Sequence, residues 1–189
     1  MICFAAGSVL LLGCQNSTNT QNASSNAASS SSQVVSSGIY DPCDLITQDD
    51  VKAVFPDGTI TVIHHDTDAS ITGQKICFYS AATDNAKFVQ VSVTSTPAIS
   101  PQVMANGESA QKLYLDGKAL FKDAQAVPGL GDDAYFGGTG VALGGGLHVL
   151  DKARQTEFTI DVGLGSGNSD AQQHIDTEKS LAQKVLNRL

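Results

Sequence analysis

The distribution of charged residues divides this chain into two parts. No Asp, Glu, Lys or Arg precedes Asp41, and all 11 basic and 19 acidic residues follow from that point. A segment that lacks both charge and a periodic apolar pattern does not bury enough surface to offset the entropy lost on ordering it. We therefore expect one folded domain over residues 39–189, a length that is sufficient for a single core.

The first residues of the chain are apolar or small. The run from Met1 to Leu12 is shorter than the roughly 20 residues that span a bilayer, and it is typical of the apolar region of a signal peptide. The sequence Leu11-Leu12-Gly13-Cys14 that ends it resembles the lipobox of bacterial lipoproteins. The resemblance implies a signal peptide over residues 1–13 and acyl chains such as palmitate on Cys14. An ordinary signal or a core segment with a chance cysteine is the alternative.

Residues 14–38 follow the lipobox and consist mainly of Ser, Asn, Gln, Thr and Ala. This composition predicts a disordered tether. A tether of this length has a reach on the order of 25–30 Å, which is enough to lift a domain off a membrane surface. Two or three acyl chains on Cys14 would hold the protein on a membrane without a transmembrane helix. The predicted location is extracytoplasmic, on a bacterial cell envelope.

The net charge restricts the partners of the folded part. The formal charge is −8 and the isoelectric point is near 4.7. Nucleic-acid binding depends on clustered Lys and Arg that release counterions, and the sequence has no such cluster. We therefore expect no nucleic-acid partner. No cofactor is needed to explain the stability of a domain of this size.

Four cysteines have three different predicted fates. Cys3 leaves with the signal peptide, Cys14 carries lipid, and Cys43 and Cys77 remain in the domain. In an exported protein such a remaining pair predicts one disulfide, worth about 3–4 kcal/mol for a loop of this length. A redox or metal-binding pair is the alternative, although no Cys-x-x-Cys motif or suitably spaced His accompanies either cysteine.

The remaining pattern predicts an α+β fold, an antiparallel sheet sandwiched by helices in the order α-βββ-α-βββ-α. Thr47 is the expected N-cap of the first helix, and Ser169 that of the last. Alternation of apolar and polar residues is clearest in the third strand. The predicted helices cover residues 47–55, 101–122 and 169–189, and the predicted strands cover residues 59–65, 75–81, 87–96, 134–136, 141–151 and 155–162.

Three short motifs support a comparison with a known group. They are Asp41-Pro42-Cys43-x-Leu45-Ile46-Thr47, Cys77-x-Tyr79 and the turn Pro128-Gly129-Leu130-Gly131-Asp132-Asp133-Ala134-Tyr135. Together they resemble small bacterial lipoproteins of unknown function, common in actinobacteria, that open with Asp-Pro-Cys-x-Leu-Leu-Thr. The resemblance implies a disulfide between the two motif cysteines. The element order is also similar to the α+β sandwich of the photosystem-associated PsbP proteins and the Mog1 family of nuclear-import factors.

One cluster in the sequence has side chains that suit a metal. In His64-His65-Asp66-Thr67-Asp68, alternation along a strand turns the two histidines to opposite sides, so only one can share a metal with the aspartates. His65, Asp66 and Asp68 are the candidate ligands. A polar strand end on a surface loop is the favoured interpretation, and a metal-dependent envelope hydrolase is the alternative function.

Other chemistry-bearing residues have structural interpretations. Asp132 and Asp133 are expected to cap a turn, His148 to lie in a sheet and His174 to be solvated, while nearly all of the remaining carboxylates are expected in turns or on polar helix faces. The glycines of residues 137–146 do not form a nucleotide-binding fingerprint, and no Gly-x-Ser-x-Gly motif is present. With no catalytic residues identified, the leading hypothesis is a non-enzymatic, lipid-anchored domain that binds an envelope protein or a small ligand. An accessory subunit of a membrane complex is a further alternative.

Overall fold

The structure is a computed structural model that describes residues 38–65, 70–82, 84–139 and 145–189, without the side chains of residues 64 and 65. Several predictions from the sequence fall outside this range. They are the signal peptide, the lipidated Cys14 and almost all of the tether, together with the candidate ligands Asp66 and Asp68. Among the described residues, no helix is both long enough and apolar enough to cross a membrane.

The domain has a mixed α+β fold, as expected. Its seven strands form one antiparallel sheet in the order β1-β2-β3-β7-β6-β5-β4. The strands are β1 Ile60–His65, β2 Lys75–Ala81, β3 Asp84–Ser95, β4 Gln125–Ala126, β5 Asp133–Phe136, β6 Leu147–Asp151 and β7 Thr156–Leu164. The helices are α1 Pro42–Leu45, α2 Gln48–Val54, α3 Pro101–Met104, α4 Ala110–Leu120 and α5 Ala171–Arg188, with a 3₁₀ turn at Thr96–Ala98.

The element order differs from the expected one in three places, of which the first is the additional short helix α1 at Pro42–Leu45. The helix predicted over 101–122 is divided into α3 and α4, because the chain turns at Gly107, which has a φ of 85° that glycine adopts without strain. The short strand β4 lies just ahead of the expected turn, in residues for which the sequence predicts no element. The described part of the strand predicted from Val141 begins only at Leu147.

The main core lies on one face of the sheet. The central strands β3 and β7 pair from Lys87↔Leu164 to Ser95↔Thr156, and their inward residues alternate with residues of the opposite face. Helix α5 lies against β7 and β6, and α1 lies against β2 and β3. The fully buried members of this core include Val89, Val91, Leu147, Val149, Phe158, Ile160, Val162, Ala182 and Val185.

A smaller cluster lies on the opposite face, beneath α4. Tyr114 of α4 packs with Tyr135 and Leu150, which alternate with the main-core residues of β5 and β6. His148 stacks on Tyr135 with ring centroids 4.5 Å apart, and its Nδ1 lies 3.0 Å from the hydroxyl of Thr159. The position of His148 in a strand is therefore as expected.

The Asp-Pro-Cys segment is fixed to the sheet by two residues of one strand. Cys43 and Cys77 lie at disulfide distance with Cα atoms 5.3 Å apart, which fits the predicted bond. Two residues further along β2, the hydroxyl of Tyr79 donates to the carbonyl of Ile46. Since Cys77 and Tyr79 face the same side of the strand, the Cys-x-Tyr spacing is explained by this double attachment.

The same segment is attached to the end of α5 by ion pairs. Asp50 forms a capping box with Thr47 and accepts from Arg188 at 2.5 Å and Lys184 at 3.0 Å. Arg188 also donates to the carbonyl of Leu45 at 2.7 Å. Burial alone would raise the pKa of Asp50, but the hydrogen bonds from Arg188, Thr47 and Lys184 hold it well below its usual range. We call Asp41–Asp50, together with Cys77, Tyr79, Lys184 and Arg188, the N-terminal clamp.

Candidate functional site

An open cleft lies where β7 ends and α5 begins. Its volume is about 690 Å³, within the range of small-molecule sites. The first residues of β3 form one side, and the connection from β7 to α5 forms the other. The described lining residues are Asp84, Asn85, Ala86, Phe88, Thr139, Gly163, Leu164, Gly165, Ser166, Gly167, Asn168 and His174.

A glycine in β7 brings the two strands together beneath the cleft. Gly163 pairs with Phe88 in the register of β3 and β7. A Cβ atom at position 163 would overlap both the Phe88 ring and the carbonyl of Ala86. Phe88 instead lies over the glycine and stacks on Phe78 with ring centroids 5.5 Å apart. The absence of a side chain at Gly163 therefore sets the floor of the cleft.

The first turn of α5 is held in place by two side-chain caps. Asp170 accepts from the backbone amides of Gln172 and Gln173 at 3.0 and 3.1 Å. Asn168 accepts from the amide of Asp170 at 3.0 Å and donates to Gln173 at 2.9 Å. The N-cap of α5 is thus Asp170, and the prediction of Ser169 is wrong by one residue. These bonds fix the point at which the helix meets the cleft wall.

His174 lies on this wall and is the least expected feature of the site. It is only 2 % exposed, and neither ring nitrogen has a hydrogen-bond partner. Leaving a buried polar group unpaired costs on the order of 1–3 kcal/mol. The expectation that His174 is solvated is wrong, because His174, Glu178, Leu181 and Val185 follow the spacing of one helix face and that face is buried.

Glu178 lies one turn beyond His174 and replaces a missing strand contact. Strand β6 begins at Leu147, opposite Ile160, and so does not extend to Val162. The Oε1 atom of Glu178 accepts from the Val162 amide at 3.1 Å, while Oε2 has no partner. Burial raises the pKa of Glu178 to about 9, and the Val162 bond and the charge of Asp161 modify that effect in opposite directions. The group is therefore a neutral carboxylic acid at pH 7.

Two further carboxylates of β7 are shifted in the same direction. Burial raises the pKa of Asp161 to about 6, and one of its oxygens has no partner. Burial also raises the pKa of Glu157 to about 7, against a hydrogen bond from Thr94 that lowers it. The expectation that carboxylates of this chain fall in turns or on polar helix faces is wrong for these two residues and for Glu178.

Of the other sequence candidates whose side chains the structure describes, none lines this cleft. His65 pairs with Ile76 in the backbone register, but its side chain is not described. Asp132 accepts from the amide of Lys152 at 2.7 Å and Asp133 pairs with Lys118 at 2.5 Å, which agrees with a structural role in the turn. Within the described ranges, no three His, Cys, Asp or Glu residues are grouped as metal ligands would be.

The sequence held one signal that points to the site. The spacing of His174, Glu178 and Leu181 places two polar residues in line with an apolar one on a single helix face. A polar pair that continues an apolar stripe indicates burial, and a buried polar pair without local partners indicates a site.

Comparison with other proteins does not identify a related site. No family model, curated protein or solved structure is significantly similar to the chain. The chemistry of the cleft is therefore judged from its geometry. It offers amide, hydroxyl and imidazole groups for hydrogen bonding and a single carboxylate at the rim, an arrangement suited to binding a polar molecule.

Proposed function

We propose that this chain is a lipid-anchored extracytoplasmic protein whose domain binds a small polar ligand in the cleft beside His174. The observation that supports ligand binding most directly is His174, which lines the cleft and whose two buried ring nitrogens have no hydrogen-bond partner. A ligand that pairs with them recovers part of the cost of their burial. Binding therefore accounts for a polar side chain that local packing does not explain.

The proposal for the anchor is supported by the sequence around Cys14 and by the two cysteines of the domain. A pair at disulfide distance fits an oxidising compartment outside the cytosol. The resemblance to actinobacterial-type lipoproteins, and to the PsbP and Mog1 sandwich in fold, belongs to the same proposal. Residues packed on both faces of the sheet support the sandwich arrangement.

The anchor is tested by expressing the full chain in a bacterial host fed an alkyne-labelled palmitate. We expect the label on the wild-type protein and its recovery in the membrane fraction. The Cys14→Ser variant should carry no label and leave that fraction. Its matched control is Cys3→Ser, which should retain both properties. An unlabelled wild-type protein would contradict the proposed anchor.

The binding function is tested on the full chain purified in a polyoxyethylene detergent, with ¹⁵N-labelled histidine. The chain contains four histidines, so variants at three of them assign the resonances. We expect compounds from a small-molecule library to move the ring ¹⁵N shifts of His174 and leave those of His148 unchanged. A library that moves neither residue would contradict the proposed function.

A further inference from the structure

We infer that the ligand of the cleft is an uncharged, hydroxyl-rich molecule of the saccharide class. This inference rests on the proposed function and adds the chemical nature of the ligand. The observations that carry it are the balance of charges around the cleft, the hydrogen-bonding groups on its walls and the buried imidazole of His174.

The charges near the cleft disfavour an anionic ligand. Of the described residues that line it, none is Lys or Arg, and Asp84 carries a carboxylate at its rim. The Cε atom of Lys87 and the carboxylate of Asp84 both lie close to Gly165, so this lysine has a carboxylate nearby. Phosphate and carboxylate ligands are usually held by Arg or Lys. The described walls of the cleft offer neither.

A cationic ligand is disfavoured for a related reason. One oxygen of Asp84 already accepts from the amide of Ala86 at 2.9 Å. Glu178 lies next to His174 along α5 but is a neutral acid at pH 7, as described above. A single, partly paired carboxylate is a weak basis for holding a cation.

The hydrogen-bonding groups match a ligand that both donates and accepts. Asn85, Thr139 and Ser166 each present a donor and an acceptor. A neutral imidazole has one nitrogen that donates and one that accepts, and both are unpartnered in His174. A hydroxyl group also donates and accepts, so neighbouring hydroxyls of one sugar ring can satisfy this set. An anion offers acceptors alone and would leave the accepting nitrogen unpaired.

The experiment is a titration of the full-length protein, again in polyoxyethylene detergent because sugar-headed detergents would compete. The neutral probes are glucose, galactose, mannose, arabinose, N-acetylglucosamine and their common disaccharides. Glucose 6-phosphate and glucuronate are the anionic counterparts, and glucosamine is the cationic one. The readouts are calorimetric heat and the ring ¹⁵N shifts of His174. We expect saturable binding of at least one neutral sugar and at least tenfold weaker binding of its charged counterpart.

Two variants test whether the response comes from the cleft. Asn85→Ala should weaken the binding of the neutral sugar by at least fivefold. The control Asn106→Ala removes another exposed asparagine that is not a described lining residue of the cleft, and it should leave the affinity unchanged. Because both asparagines are exposed, neither change is expected to prevent folding. If the two variants weaken binding equally, or if neither weakens it, the assignment of the sugar to this cleft is overturned.

The outcomes separate this inference from the proposed function. Stronger binding of a charged counterpart, with shifts at His174, would overturn the saccharide class and leave the cleft as a binding site. Absence of saturable binding by every neutral sugar up to 50 mM would also overturn the class. If the wider library in the earlier experiment also fails to shift His174, the proposed function fails as well.

Discussion

The two ends of helix α5 carry polar groups in opposite states. At its C-terminal end, Lys184 and Arg188 pair with Asp50, and Arg188 also donates to the carbonyl of Leu45. Toward its N-terminal end, both nitrogens of His174 and one oxygen of Glu178 lack a partner. Both ends belong to one helix, and both lie over the same main core.

Under the proposed function, this difference separates groups that stabilise the fold from a group that binds the ligand. Buried polar atoms in folded proteins are nearly always paired, and exceptions need an explanation. In the N-terminal clamp, the hydrogen bonds and ion pairs described above account for the Asp-Pro-Cys motif by its role in folding. The cleft end leaves groups available to a ligand, at a cost in stability. The predictions below alter one end at a time.

The largest effect is expected from the cysteines of the clamp. Replacing Cys43 and Cys77 together by Ser should lower the free energy of unfolding by about 3–4 kcal/mol, because the unfolded chain regains the entropy of the closed loop. Urea unfolding measures the change. Dithiothreitol should lower the stability of the wild-type protein by a similar amount and leave the double variant unaffected. A reductant-insensitive wild-type protein would show that the bond does not form.

Asp50→Ala is expected to have the next largest effect. The variant loses the capping box and leaves Arg188 and Lys184 unpaired, which should lower the free energy of unfolding by about 2–3 kcal/mol. Its control is Asp49→Ala, where the side chain is 91 % exposed, and a change of less than about 0.5 kcal/mol is expected. Equal effects at the two positions in thermal or urea unfolding would contradict the role given to Asp50.

Glu178→Gln tests the cleft end through its dependence on pH. Because burial raises the pKa of Glu178 from 4.5 to about 9, its proton is retained in the folded state over a range in which the unfolded state loses it. The contribution of Glu178 to the free energy of unfolding is therefore full below pH 4.5 and falls as pH rises toward 9. The amide retains an acceptor for the Val162 amide, so at pH 8 the variant should be more stable by roughly 1–3 kcal/mol.

The measurement is thermal unfolding between pH 5 and pH 8. The wild-type protein should unfold at a lower temperature at pH 8 than at pH 5, and the variant should lose about half of this difference. The raised pKa values of Asp161 and Glu157 act in the same sense. In the variant they should leave a smaller dependence of the unfolding temperature on pH. The exposed Asp176→Asn on the same helix is the control. An unchanged slope in Glu178→Gln would contradict burial of the acid.

The smallest effect is expected for His174→Phe. The phenyl ring keeps the planar shape of the imidazole, though it is somewhat larger, and both unpartnered nitrogens are removed, so the unliganded protein should gain about 1 kcal/mol. For a domain of this size, that gain raises the unfolding temperature by about 2–4 °C. The same variant should no longer respond to ligands of the cleft. A loss of 2 kcal/mol or more would instead indicate that the nitrogens are paired in the folded protein.

The clamp was more predictable than the cleft, and the reason is physical. The N-cap at Thr47 and the Cys43–Cys77 pair are local or compositional signals that a sequence displays directly. The pairing of Glu178 with the Val162 amide depends on β6 beginning only at Leu147, because that start leaves the amide without a strand partner on that side. The length of a neighbouring strand is a tertiary property. Likewise, Gly163 looks like any strand glycine until its register with Phe88 is known.

The double attachment of the Asp-Pro-Cys segment has a mechanical consequence. Any pull on the chain ahead of Asp41 reaches Cys43 within two residues and passes through the disulfide into β2, which lies inside the sheet rather than at its edge. The load is then shared by the hydrogen bonds of β2 to both neighbouring strands. A domain pulled by its N-terminal end would therefore resist unfolding from that end, because the force enters the sheet through a covalent bond and not through a frayed terminus.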